Sequence, residues 1–169
     1  MGLKDEVGAL LHSGDEKALA TRVAGDRRVI RLLVARLWDV DGGVRARAAR
    51  ALGEAAVHHA TLVRENVRRL MWALNDESGT NGGPGLAALG EIGRRAPDII
   101  APYVPALAAF AADDGLRVRV LGALQALAGS APALVAPEWA AVAGVVDLSR
   151  PDERAALDAL RDTLEGRGV

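Results

Sequence analysis

The segment from Asn75 to Gly85 has the residue types most suited to binding an ion. It places Asp76, Glu77, Ser78 and Thr80 among glycines at positions 79, 82, 83 and 85. Glycines let backbone N–H groups face a ligand, and the N-terminus of a following helix attracts anions, so an anion could bind here. The two acidic side chains would repel an anion and would instead favour a cation.

The oxygen spacing of this segment matches a calcium loop only in part. Asp76, Ser78 and Thr80 alternate as the first ligands of such a loop do. The required glycine comes one position late, at Gly82, and Ala87 occupies the twelfth position, where a bidentate glutamate is needed. We therefore expect a capped turn or a partner-binding loop, with an ion or anion site as an alternative.

Two tryptophans occupy similar places in the chain. Trp72 directly precedes the polar segment, and Trp38 lies 34 residues earlier. Such residues either pack in the core or, where exposed, anchor a partner. The candidate partner-binding residues are the tryptophans, the start of the polar segment and one helix glutamate: Trp38, Trp72, Asn75, Asp76, Glu77, Ser78 and Glu91.

No residue pattern in the sequence indicates a catalytic or metal site. There is no cysteine, which excludes disulfides, thiolate metal sites, iron–sulfur clusters and cysteine nucleophiles. His58 and His59 are adjacent, so on a helix they would point apart, and no third ligand is near. Glu54 and Glu91 could meet as a paired acid and base, although a glutamate at this point more often binds a neighbouring turn. We expect no catalytic residue, no metal ligand and no cofactor.

Basic residues are concentrated in the first half of the chain. Residues 1–75 hold 13 Lys and Arg against 9 Asp and Glu, whereas residues 76–169 hold 8 against 13. Arginine pairs such as Arg27 with Arg31 and Arg64 with Arg68 are neighbours on a helix, which makes a phosphate or nucleic-acid surface conceivable. Because the net charge of the whole chain is −1, we do not expect nucleic acid as a partner.

The elements that would position these residues are predicted to be helices. Half of the residues are hydrophobic, mostly Ala, Leu and Val, and only 3% are aromatic. Alanine and leucine favour helix, whereas a β-sandwich or barrel needs more β-branched and aromatic residues. The fold class is therefore predicted to be all-α.

A repeat of about 36 residues organises these helices. Ala51-Leu52-Gly53-Glu54 recurs as Ala88-Leu89-Gly90-Glu91, 37 residues later, and Val44-Arg45-Ala46-Arg47 recurs as Leu116-Arg117-Val118-Arg119, 72 residues later. These matches predict first helices that begin near residues 43, 84, 115 and 151. Second helices are predicted over 60–74, 98–112 and 133–146, with prolines that start or kink the last two. The N-terminal helices, over 3–12, 15–24 and 27–38, would form a cap.

An acidic turn precedes each predicted first helix. Asp41, Asp76, Asp113 and Asp147 belong to these turns. Aspartate accepts hydrogen bonds from the free N–H groups at a helix N-terminus, and its charge suits the helix dipole. We therefore predict that these acids cap the helices that follow.

The stretch Val44–Gly53, with the pattern VRxxAAxALG, resembles the first helix of HEAT repeats, in particular the short phycobilisome-lyase-like type of bacteria and archaea. This resemblance implies a right-handed α-α superhelix (a HEAT/armadillo-like solenoid) of about four helix pairs with an N-terminal cap, in a single domain over 1–169. The second helices of such a solenoid usually line its concave side. Met71–Gly79 with Gly90-Glu91-Ile92 also resembles a WxLNDESG…GEIG segment of uncharacterised HEAT-like proteins.

HEAT-like proteins are mostly scaffolds and partner-binding modules, and a few are enzymes. We therefore expect a non-catalytic protein–protein interaction module that binds a protein or peptide through its concave face and the 75–85 loop. The alternative is a small enzyme or nucleic-acid-binding protein of the lyase or DNA glycosylase type, with an acid near Trp72. HEAT-like deoxyhypusine hydroxylases bind iron through His-Glu dyads, which this chain lacks.

The remaining expectations concern location and assembly. No apolar run of about 18 residues occurs, and the first residues lack the apolar stretch of a signal peptide. A cytoplasmic protein without a membrane span is expected, as a monomer or weak homodimer.

Overall fold

The computed structural model describes residues 1–75 and 82–168, and within these residues the chain is helical without any strand. The all-α prediction is therefore confirmed. Three helices come first, and longer and shorter helices follow: α1 (Leu3–Ser13), α2 (Glu16–Gly25), α3 (Val29–Arg36), α4 (Gly42–His58), α5 (Ala60–Leu74), α6 (Gly83–Arg95), α7 (Pro97–Ile100), α8 (Val104–Ala109), α9 (Arg117–Ala128), α10 (Pro132–Val135), α11 (Trp139–Ala143) and α12 (Pro151–Gly166).

Prolines divide two of the predicted second helices into short pieces. The helix expected over 98–112 consists of α7, a 3-10 turn, α8 and a second 3-10 turn. The helix expected over 133–146 consists of α10, a 3-10 turn and α11. Pro97 and Pro132 occupy the first position of α7 and α10, where no backbone N–H is needed, and Pro102, Pro105 and Pro137 lie at the breaks.

The first helices of successive units pack side by side, α4 against α6, α6 against α9, and α9 against α12. Glycines in the repeated tetrad bring the first three backbones close together. A Cβ atom on Gly53 would lie 2.6 Å from the carbonyl oxygen of Glu91, and one on Gly90 would lie 2.9 Å from the Cα of Ala123. The repeated glycine is therefore explained by helix packing.

Side-chain hydrogen bonds between segments that are far apart in sequence also follow the repeat. His59 Nε2 is 2.8 Å from the carbonyl oxygen of Val23, 36 residues earlier, and Arg64 donates to Asp98, 34 residues later. The other bonds of this kind span 34 to 41 residues and join Arg47 to Leu11, Arg50 to Glu16, Arg95 to Glu54, Arg117 to Glu153, Gln125 to Thr163 and Ser130 to Gly93. These separations agree with the predicted step of about 36 residues.

Two arginines make the same contacts in two different units. Arg45 Nη1 donates to the carbonyl oxygens of the residues six and five positions earlier, at 2.7 and 3.1 Å. Arg117 donates to carbonyl oxygens at the same two offsets, at 2.7 and 3.3 Å. Each arginine thus ties the start of a first helix to the turn before it.

Arg117 also belongs to a buried ion pair. Its Nη1 lies 2.9 Å from an oxygen of Glu153, whose side chain is fully buried in the first turn of α12. The same carboxylate pairs with Arg150 at 3.0 Å and accepts the Asp147 backbone N–H at 2.9 Å. The hydrogen bond with Glu153 is the main cause that raises the pKa of Arg117. This network connects α9 to α12.

The acidic turns cap their helices less regularly than predicted. Asp41 caps α4, because its Oδ1 accepts the N–H groups of Gly43 and Val44 at 2.7 and 3.3 Å. The Asp113 side chain instead accepts the Gly115 N–H, two residues before α9 begins. Asp147 similarly bonds to Ser149 and does not reach α12. The capping prediction is therefore wrong for those two turns, and Asp76 lies outside the described residues.

Removing the Asp41 cap gives a direct stability prediction. Asp41→Ala leaves the first N–H groups of α4 without their acceptor, which should lower the free energy of unfolding by about 1 kcal/mol. The measurement is urea denaturation followed by circular dichroism. Asp113→Ala is the matched control, since it removes one turn hydrogen bond and no helix cap. An equal loss in both variants would contradict the assignment.

The buried apolar side chains form one continuous cluster that extends from Val7 in α1 to Leu164 in α12. Its members recur at helical spacing, as with Val63, Val67 and Leu70 along α5. Among the described residues, none of the helices combines the length and the apolar character needed to cross a membrane.

Candidate functional site

A groove of about 750 Å³ crosses the exposed faces of α4, α6 and α9. This volume is within the usual range for ligand sites, about 300 to 1,000 Å³. More than half of the described residues that line it are alanine or glycine, contributed by all three helices: Gly42, Ala46, Ala49, Gly83, Ala87, Gly90, Gly122, Ala123 and Ala126. The first helices approach each other closely, and the short side chains on this face leave the space above them open.

The larger side chains of the groove are aromatic or charged. Trp38, just after α3, lines the groove beside the start of α4, and its side chain is partly exposed. Among the described residues, the charged groups that line the groove are two acids and three arginines: Asp39, Glu91, Arg45, Arg50 and Arg119.

Both acids of the groove are already bound to arginines that do not line it. Asp39 accepts the Asp41 N–H at 3.0 Å and pairs with Arg36 at 2.8 Å. These hydrogen bonds hold the pKa of the Asp39 carboxyl below its usual value. Glu91 accepts two hydrogen bonds from Arg94, at 2.7 and 2.9 Å. The negative charge of the groove is therefore largely compensated.

The arginines of the groove differ in their partners. Arg50 pairs with Glu16 at 2.7 Å, and Arg45 donates only to backbone carbonyl oxygens. Arg119 is exposed and forms no hydrogen bond or ion pair through its side chain within residues 1–75 and 82–168. Two guanidinium groups of the groove, those of Arg45 and Arg119, thus have no carboxylate partner in the described part of the chain.

A smaller cleft of about 210 Å³ shares Arg50 with the groove. Its charges are paired, since Arg50 binds Glu16 and Arg95 binds Glu54. Arg47 is also occupied, because its Nε donates to the carbonyl oxygen of Leu11. Arg94 is bound to Glu91, so each charged residue that lines this cleft within the described ranges already has a partner.

The structure separates the residues proposed from sequence. Trp38 and Glu91 line the groove, whereas Trp72 lies on α5 outside its lining, with 70% of its surface exposed. Asn75 ends α5 and is exposed. Asp76, Glu77 and Ser78 lie outside the described residues.

The groove is also on different helices from those expected. The HEAT resemblance implies a concave face lined by second helices, but α5, α7 and α8 contribute no lining residue among those described. The small residues of the first helices explain the difference, since Gly90 and Ala123 lie at the close contact of α6 with α9 and also line the groove, where they leave space above them. Arg45, Arg119 and the alanines between them were therefore not predicted as site residues, because repeated small residues indicate close packing but not which face stays open.

Glu54 and Glu91 are each bound to an arginine near the end of α6. Glu54 binds Arg95 and lies 3.6 Å from His58, while Glu91 binds Arg94. Within the described residues, no group of three or more His, Cys, Asp or Glu side chains is placed to hold a metal ion. The groove offers positive charge, an aromatic edge and a small-residue floor, which suit binding.

Comparisons of the chain with protein-family models, with curated proteins and with solved structures give no match. The class that the geometry supports is an all-α protein with a groove across adjacent helices.

Proposed function

We propose that this protein is a non-catalytic interaction module that binds a segment of a partner protein in the groove across α4, α6 and α9. The observation that supports this proposal is the groove itself, which is open along several helices and combines Trp38 with a small-residue floor. An exposed aromatic residue at one end is the kind of anchor that often dominates binding energy. The floor leaves room for the backbone of a bound segment.

We further propose that the units belong to a HEAT-like right-handed α-α superhelix. Three features support this architecture: the side-by-side first helices, the hydrogen bonds at 34 to 41 residues, and the repeated contacts of Arg45 and Arg117. In a repeat protein each unit contacts mainly its neighbours, which agrees with these separations. In this proposal the first helices line the concave side.

An enzyme or nucleic-acid-binding protein with an acid beside Trp72 has less support. Trp72 does not line the groove, and Glu91 is held by Arg94. A catalytic acid or base needs a carboxylate within reach of its substrate, and this carboxylate is occupied by a guanidinium.

Filling the groove tests the proposed function. Ala87 is an exposed residue of α6 in the groove lining, so Ala87→Trp places an indole there without entering the core. Peptides would first be selected on the wild-type protein from a random 12-residue display library, and their affinities measured by fluorescence polarisation. We expect Ala87→Trp to weaken binding of the selected peptides by at least about tenfold.

The matched control is Ala109→Trp. Ala109 is an exposed alanine at the end of α8, outside the groove lining, so this variant should bind the peptides as the wild type does. Equal binding by the wild type and both variants would reject the groove as the binding site. Selection of no peptide above background would reject the proposed function.

A further inference from the structure

The repeat identifies Arg119 as an arginine that the fold does not use. Two pairs of arginines are equivalent by the 72-residue offset, Arg45 with Arg117 and Arg47 with Arg119. Arg45 and Arg117 bind the carbonyl oxygens of the preceding turn. Arg47 donates to the carbonyl oxygen of Leu11, 36 residues earlier. Arg119 lines the groove, and in the described part of the chain it is the one of these four arginines whose side chain makes no such bond.

From this comparison we infer that the groove binds an acidic peptide segment, in which a side-chain carboxylate pairs with Arg119. This inference rests on the proposed function and adds the chemistry of the partner. An arginine guanidinium binds a carboxylate through two parallel hydrogen bonds, a geometry that lysine does not offer. Arg45, on α4, supplies a second guanidinium without a carboxylate partner in the described residues, with α6 between it and Arg119.

The compensated acids of the groove favour this partner. Arg36 holds Asp39 and Arg94 holds Glu91, so the charge of each carboxylate in the groove is balanced by a neighbouring guanidinium. A peptide can place single carboxylates beside Arg119 and Arg45 and present neutral residues to Asp39 and Glu91. A nucleic acid has a charge at every phosphate, about every 3.4 Å along each strand, and would bring several charges against those acids.

The inference is tested with the peptides selected on the wild-type protein. We expect Asp and Glu to be enriched among peptides whose binding Ala87→Trp abolishes. Arg119→Glu should weaken their binding by about tenfold or more, because it replaces an attraction with a repulsion. Arg119→Lys should recover part of the affinity, since it restores the charge without the paired hydrogen bonds. Binding should also weaken as salt is raised from 50 to 500 mM, because screening of the charges is weak at the lower concentration and strong at the higher one.

The matched control is Arg154→Glu. Arg154 is an exposed residue of α12 that does not line the groove, and this variant changes the net charge by the same amount. Equal weakening by Arg119→Glu and Arg154→Glu would overturn the inference, as would groove-dependent peptides without enriched acids. Either result leaves the proposed function standing. If a 12-nucleotide single strand bound in the groove more tightly than any peptide, the inference would be overturned in favour of nucleic acid. If no selected peptide depended on the groove, both proposals would be overturned.

Discussion

Glu153→Gln is expected to lower the free energy of unfolding by about 3 kcal/mol. The wild-type carboxylate is fully buried, lies 2.9 Å from Arg117 and 3.0 Å from Arg150, and accepts the Asp147 N–H. The amide has nearly the same shape but no charge, so the Arg117 guanidinium, which is only 7% exposed, keeps only the exposed Asp114 carboxylate, 2.5 Å away, as a counter-charge. Removing one partner of a buried pair is costly because the other charge stays buried. Urea denaturation at pH 7 measures the change.

The control for this variant is an exposed ion pair on the same helix. Asp158→Asn removes the nearer of the two carboxylates that pair with Arg161, and the side chains of both residues are more than two-fifths exposed, so the expected loss is at most about 1 kcal/mol. A double-mutant cycle of Glu153→Gln with Arg117→Met should show a coupling of about 0.5 to 3 kcal/mol. A loss below about 1 kcal/mol for Glu153→Gln, or additive effects in the cycle, would show that this network does not stabilise the contact of α9 with α12.

Gly53→Ala is expected to lower the free energy of unfolding by up to about 2 kcal/mol, although alanine is the better helix former. The added methyl group would lie 2.6 Å from the carbonyl oxygen of Glu91 and 3.0 Å from its carbonyl carbon. These are backbone atoms that no rotamer change can move, so α4 and α6 must separate. Overpacking of this kind costs about 1 to 3 kcal/mol, which outweighs the gain of about 1 kcal/mol in helix propensity.

Glycine to alanine should change the free energy of unfolding in the opposite direction at Gly122. This glycine also lies within a first helix, α9, but a Cβ there would have no atom within 4 Å. Gly122→Ala should therefore raise the free energy of unfolding by up to about 1 kcal/mol through helix propensity alone. Thermal and urea denaturation of both variants would check the pair. A stabilised Gly53→Ala variant would contradict the close approach of α4 and α6.

The helices could be predicted from the sequence because their signals are local. The tetrad ending in Glu54 returns in Glu91, and the first helices begin within about two residues of the predicted positions. The start of α9 was the least accurate, since Asp113 bonds to Gly115 in a turn that delays the helix until Arg117. The prolines also indicated the breaks in the second helices, because proline lacks the N–H that a helix interior needs.

The groove could not be predicted because it depends on how helices pack. Periodicity shows which side of one helix is buried, but not how closely two helices approach or which open face results. Here the approach depends on contacts between Gly53 and Glu91 and between Gly90 and Ala123, which are far apart in sequence. The exposure of Trp72 could be predicted in part. The buried residues of α5 include Val67, Leu70 and Leu74, and this spacing places Trp72 outside the buried face of the helix.

The alanine and glycine floor of the groove has a thermodynamic consequence for recognition. Long side chains lose rotamer freedom when a ligand covers them, whereas alanine and glycine have no rotamers to lose. A segment that lies on Ala87, Gly122 and Ala126 would therefore immobilise few protein side chains apart from the arginines. Most of the ordering cost on the protein side would fall on Arg119. The difference in affinity between two peptides should then depend more on their own flexibility and on this one contact than on rearrangement of the groove.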